Sequence, residues 1–207
     1  MQPNSMPATL SPPRNPDAER RTLELAIAGF RREGRSTELA ESAYRLGDLL
    51  RWEFGELMPA WLLMQEALVA ATATGAPVWA GLAQVGLAAM SIDLGELEAA
   101  RRHLDEALAC IADRPELAPE LLQTCAVQAA VAGAAFRALR LMGAAAQQAE
   151  RQGLPSRPAA VRTWVNGHLQ RAGERLSDDS ASTEWLQGRG MSLEQALAYA
   201  SATAGEI

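Results

Sequence analysis

Two histidines, two cysteines and a few paired acids are the side chains with which this sequence could do chemistry, and their spacing argues against most of it. Cys110 and Cys125 fall in different predicted helices with no histidine beside either, so they form neither a tetrahedral zinc set nor a Cys-x-x-Cys redox pair. They read as buried free thiols of a chain that stays in a reducing cytoplasm. His168 has no acid or thiol at a spacing that would tune it as a general base, and His103, which follows Arg101 and Arg102, reads as part of a solvated helix face. The pairs Asp178 with Asp179 and Glu96 with Glu98 suit helix starts, where a carboxylate meets the positive end of the helix dipole. No G-x-x-x-x-G-K-[ST] phosphate loop is present. These residues predict no catalytic group, no metal and no cofactor.

Charge narrows the partners. The formal net charge is -6, with acids and bases interspersed along the chain, which disfavours direct contact with nucleic acid. All 19 basic residues are arginine, a pattern that fits codon usage in a GC-rich genome better than a phosphate-binding surface. No apolar run reaches the roughly 20 residues of a membrane span, and the start of the chain lacks the order of a signal peptide. The expected location is cytoplasmic, with no membrane partner.

The elements that must carry any site are helical. Of the 207 residues 48% are hydrophobic but only 5% aromatic, and alanine and leucine make up the difference. Those residues favour helices and close helix packing. Residues 1–16 hold five prolines without helical periodicity and are expected as a tail; helical spacing begins at Asp17 and no alternating strand pattern follows. The periodic region repeats itself. Gly47, Gly55, Ala60 and Ala67 match Gly86, Gly95, Ala100 and Ala107, and Gly133, Ala138 and Ala145 continue the series at a period near 40 residues. Each unit reads as a helix A, a turn ending in glycine, and a helix B. The segment from Arg21 to Arg35 reads as a helix B without its helix A. Residues 17–157 thus form an array of helix pairs, and 158–207 a capping segment. That segment holds a helix from about Ala159 to Arg175, a short one around Ser182 to Gln187, and a last one from Leu193 to about Ala202 with Ser192 as its N-cap.

The pattern of Gly95, Leu97, Ala100, Ala107 and Leu108 resembles the long tetratricopeptide repeats of large bacterial transcriptional regulators. The ending, with Gly188, Arg189, Gly190, Met191, Ser192, Glu194 and Ala196, looks like the G-R-x-L-S-x-E-x-A close of the actinobacterial ATPase regulators of the LuxR and SARP types; Met191 stands where leucine is usual. In those relatives a DNA-binding module and an ATPase precede a helical-repeat sensor. These residues show neither a phosphate loop nor a basic helix-turn-helix; for a chain that stands alone only the scaffold and the sensing role carry over, and for one excised from a larger regulator it is the sensor part. The resemblance implies an all-α fold, a right-handed superhelical array of antiparallel helix pairs with a C-terminal cap.

In such arrays the A helices line a concave groove that receives a peptide, protein or effector. Projected onto this chain, the groove takes Glu41, Tyr44, Asp48, Arg51 and Trp52 from the first pair, Ala83, Leu87, Met90 and Ser91 from the second, and Glu120, Gln123, Val127 and Ala130 from the third. Tyr44, Arg51 and Trp52 are expected to be exposed there, being of the types enriched at binding hot spots. The resulting expectation is a protein-interaction and sensor module. Two alternatives stay open. One is a small-molecule receptor or unusual enzyme of secondary metabolism using an apolar pocket around Leu87, Met90, Val127 and Ala130, provided the helices after Ala159 do not fold back and fill it. The other is a homodimer through the N-terminal end, where Leu23, Leu25, Ile27 and Phe30 lack an obvious cover.

Overall fold

The computed structural model describes residues 15–111, 114–174 and 176–202. Most of the proline-rich stretch 1–16 lies outside them. Its last two residues belong to a helix start: Asn15 caps α1, accepting from the Ala18 amide at 3.1 Å, and Pro16 occupies the first turn, where its missing N–H costs nothing.

Ten α-helices follow in sequence, with no strand among the described residues. They are α1 (Pro16–Glu33), α2 (Ser36–Leu49), α3 (Leu57–Thr74), α4 (Pro77–Asp93), α5 (Leu97–Ile111), α6 (Ala118–Val131), α7 (Ala135–Arg151), α8 (Ala159–Gly173), α9 (Asp178–Arg189) and α10 (Leu193–Ser201). A π-helical turn, Leu50–Phe54, extends α2. The heaviest packing joins α2 with α3, α4 with α5 and α6 with α7, all chain neighbours, and equally α7 with α9, while α2 also touches α4 and α4 touches α6.

The repeat spacing is explained by contact. Ala60, Ala67, Ala100, Ala107, Ala138 and Ala145 are all fully buried, because only a methyl group fits where paired helices cross. Met64 lies between two of the matched glycines: a β-carbon on Gly86 would sit 2.9 Å from its sulfur, and one on Gly47 3.2 Å from its methyl carbon. At the turns Gly55, Gly95 and Gly133 adopt φ of 68°, 77° and 84°, the left-handed conformation that lets each helix A stop and reverse.

Two large clusters form most of the core, beside a small one of Ala40, Ala70, Ala71 and Ala80. One joins α1 to α4; the other joins α4 to α7 and includes Val161, Val165 and Leu169 of α8 with Ala196 and Ala200 of α10. Helix α4 serves both, with Ala83, Leu87 and Met90 on one side and Val85, Ala88 and Ile92 on the other, so it is buried around nearly its whole circumference, Gln84 and Ser91 included. Residues of α8 and α10 therefore share a core with the helix pairs.

The closing motif is a docking device. Helix α9 runs from Asp178 to Arg189, longer than the expected Ser182 to Gln187, because Ser177 caps it and Asp178 and Asp179 sit in its first turn. It crosses α7 so closely that a β-carbon on Gly188 would strike the Arg140 carbonyl, and one on Gly143 the Trp185 carbonyl. Arg189 clamps Glu150 of α7 with bonds of 2.9 and 2.7 Å, and Arg140 pairs with Glu184 at 2.7 Å. A capping box between Ser192 and Gln195 then starts α10.

At the other end α1 packs along α2. Leu23 and Ile27 are buried and the Arg35 guanidinium lies 4.8 Å from the Phe30 ring centroid, so the uncovered apolar edge expected there shrinks to Leu25, which is 75% exposed.

Candidate functional site

The first-pair residues singled out above converge on one place. Tyr44 and Asp48 stand one turn apart on α2, and the wider π-helical turn that follows brings Arg51 and Trp52 round to the same side. What they meet is α8. This helix lies along α6 and reaches the π-helical turn, setting Val161, Trp164 and Val165 over the A-helix surface. Arg51 is consequently buried, 8% exposed, where exposure was expected; Trp52 and Tyr44 are half-buried.

The contact is specific. Arg51 Nη2 donates to Asp93 Oδ2 at 2.9 Å, and Trp164 Nε1 donates to Oδ1 of the same carboxylate at 2.7 Å. The Arg51 guanidinium lies 4.1 Å from the Trp52 ring centroid and 5.0 Å from that of Trp164. The two indoles meet nearly edge to face, 5.6 Å apart at 68°, and His168 meets Trp164 in the same way at 5.5 Å and 73°. Such cation and ring contacts gain strength once water is excluded. Burial pushes the Arg51 guanidinium and the His168 imidazole below their ordinary values.

Beside this knot sits a second polar group. Arg157, from the segment before α8, pairs with Glu120 of α6 at 2.9 Å. Asp48 faces the same charges. Burial, and then the neighbouring Glu120, push its carboxyl up to about 6, with Arg157 and the Trp52 indole opposing. Tyr44 is raised too, by burial first and then by Glu120 and Asp48; its ring lies 5.9 Å from that of Trp79. The space left among Tyr44, Asp48, Trp52, Glu120, Gln123 and Trp164 is about 20 Å³, room for a single water. The arrangement can fix a helix in register and hold a proton on Asp48.

The remaining expected residues fare differently. Gln123 lines this space, but Leu87, Met90 and Val127 are 1%, 0% and 0% exposed and belong to the core clusters, as does Ala83; Ser91 is also fully buried. The open apolar groove floor expected at these positions is filled by their neighbours on α1 to α7 and by the fold-back of α8. His103 also departs from expectation: half-buried, with Nδ1 2.6 Å from Gln84 Oε1 and its ring 6.4 Å from Trp61, it is pushed down by burial. Cys125 is buried and its thiol is pushed up to about 12, so it is held as the neutral thiol.

Asp93 and Arg157 were not anticipated. Asp93 closes α4 just before a turn, where an acid looks like ordinary helix punctuation, and Arg157 sits in the Pro-flanked "LPSRP", which has no periodicity to read. Trp164 between Val161 and Val165 did carry a signal, since that spacing marks one face of a helix.

Among the described residues no cluster of His, Cys, Asp and Glu could hold a metal ion, and no helix is long and apolar enough to cross a membrane. No family model, curated protein or solved structure matches the chain.

Proposed function

We propose that this chain is a protein-interaction module, a TPR-like superhelical array of the kind used as sensors in bacterial transcriptional regulators, whose groove receives an amphipathic helix. In the resting molecule α8 is that occupant. The observation that carries this reading is the seat of Trp164, an indole from a single crossing helix whose nitrogen and ring are both met by Arg51, Trp52 and Asp93. A helix laid in a groove through apolar anchors one turn apart is a general recognition mode, and Val161, Val165 and Leu169 have that spacing. A partner helix presenting the same anchors and a donor to Asp93 would compete with α8. The tether gives α8 an effective concentration on the order of millimolar, so the resting state is closed.

The test is binding in trans. A fluorescent peptide spanning residues 158–174 should ignore the wild-type protein and bind the full-length Trp164→Ala/Val165→Ala variant, whose own α8 is loosened. Adding Arg51→Ala to that variant should abolish peptide binding. A folded double variant that takes up no peptide would overturn the reading.

A further inference from the structure

A second space lies on the other side of Arg157. Helices α6, α7 and α8 and the segment between the last two enclose an open cleft of about 250 Å³. Its walls are mostly apolar, from Met142, Ala149, Leu154, Val161 and Val165. At the liquid volume of water such a space holds roughly eight molecules, or one compact organic molecule of about ten heavy atoms. Apolar walls with a few polar groups at one side are the usual make-up of a small-molecule site.

The polar side is cationic. Three charged residues border the cleft, Glu150, Arg157 and Arg162. Glu150 is already neutralised, since Arg189 takes both of its oxygens. Arg157 gives Nη1 to Glu120, but its Nε is buried without a hydrogen-bond partner, an arrangement that a buried donor tolerates poorly. Arg162 is exposed and arches back over the cleft, its Nη1 donating to the Arg157 carbonyl at 2.6 Å and to Ser156 Oγ at 3.2 Å. Arg157 is thus ion-paired with Glu120, and Arg162 bonds only a hydroxyl and a carbonyl, so the cleft keeps one guanidinium charge in excess, and a guanidinium fork matches a carboxylate in shape and charge.

We propose that this cleft binds a small organic acid, its carboxylate held by Arg157 and Arg162 and its compact apolar body against Met142, Leu154, Val161 and Val165. The site holds whether or not α8 ever leaves the groove, because all its walls are present in the closed state.

The probe is 3-phenylpropionate, titrated calorimetrically into the full chain beside the matched alcohol and amine. The acid should bind one to one and at least 10-fold more tightly than either, the usual scale of a charge-assisted hydrogen bond. Arg162→Gln should weaken it about 10-fold, and Met142→Trp, which fills the floor, should remove it. Equal affinity for all three probes, acid binding indifferent to both variants, or no binding at millimolar acid would each overturn the proposal. Should Met142→Trp fail to fold, Arg162→Gln decides alone, since it alters only an exposed side chain.

Discussion

Asp48 is a carboxylate placed where a charge is costly, and its energetics follow from that. Its carboxyl is raised from an ordinary 3.8 to about 6, so the folded state binds its proton more tightly than the unfolded chain does. The resulting stabilisation is complete below about pH 3.8 and is lost as pH rises through about 6. Asp48→Asn removes this dependence. At pH 7.5 the variant should unfold at a higher urea midpoint than wild type, by an amount equivalent to about 3 kcal/mol, and the gap should close toward pH 4. Arg51 is the opposite case, a buried cation shared by Asp93 and two indoles. Arg51→Ala leaves Asp93 unpaired; the Asp93 side chain is 28% exposed and can rehydrate in part, so the expected loss is about 2 kcal/mol, less than for a fully buried pair. Tryptophan fluorescence against urea measures both.

Small residues decide how the elements meet. The Gly and Ala positions matched by the 40-residue spacing are those where helices cross or turn, and so the pairing of α2 with α3, α4 with α5 and α6 with α7 can be read from the spacing alone. The tight crossing at Gly143 and Gly188 cannot, because a lone glycine inside a helix gives no sign of which backbone approaches it. Gly188→Ala should push α9 off α7 and cost about 2 kcal/mol, with the loss of protection in hydrogen exchange confined to α9 and α10. Ser192→Ala removes the capping box that starts α10 and should lower stability by about 1 kcal/mol, seen as faster exchange in the first turn of that helix. The path of α8 is equally hidden in the sequence. Its start at Ala159 follows from apolar periodicity, and its end at Gly173 falls two residues short of the expected Arg175, but its course over the A helices is set by Arg51, Asp93 and Arg157, charged residues whose role emerges only in three dimensions.

For the whole molecule, the A-helix face and the C-terminal helices share one core. The residues a tetratricopeptide-like array would offer to a partner, Tyr44, Asp48, Arg51, Trp52 and Gln123, are covered by the chain's own helix, and the apolar middle at Leu87, Met90 and Val127 is core. Helix α8 is held by four buried apolar residues and one half-buried tryptophan, above a set of desolvated charges, whereas α4 is buried on nearly all sides. The stability of the molecule should therefore be uneven, with α8 opening as a unit well before the array unfolds. Native-state hydrogen exchange under low denaturant tests this directly. The amides of α8 should share one opening free energy several kcal/mol below that of α4 and α6, with Trp164→Ala lowering it further and leaving α4 unchanged. If α8 instead exchanges only with global unfolding, at the same free energy as α4, the helix is a permanent part of the core and the interaction reading is wrong.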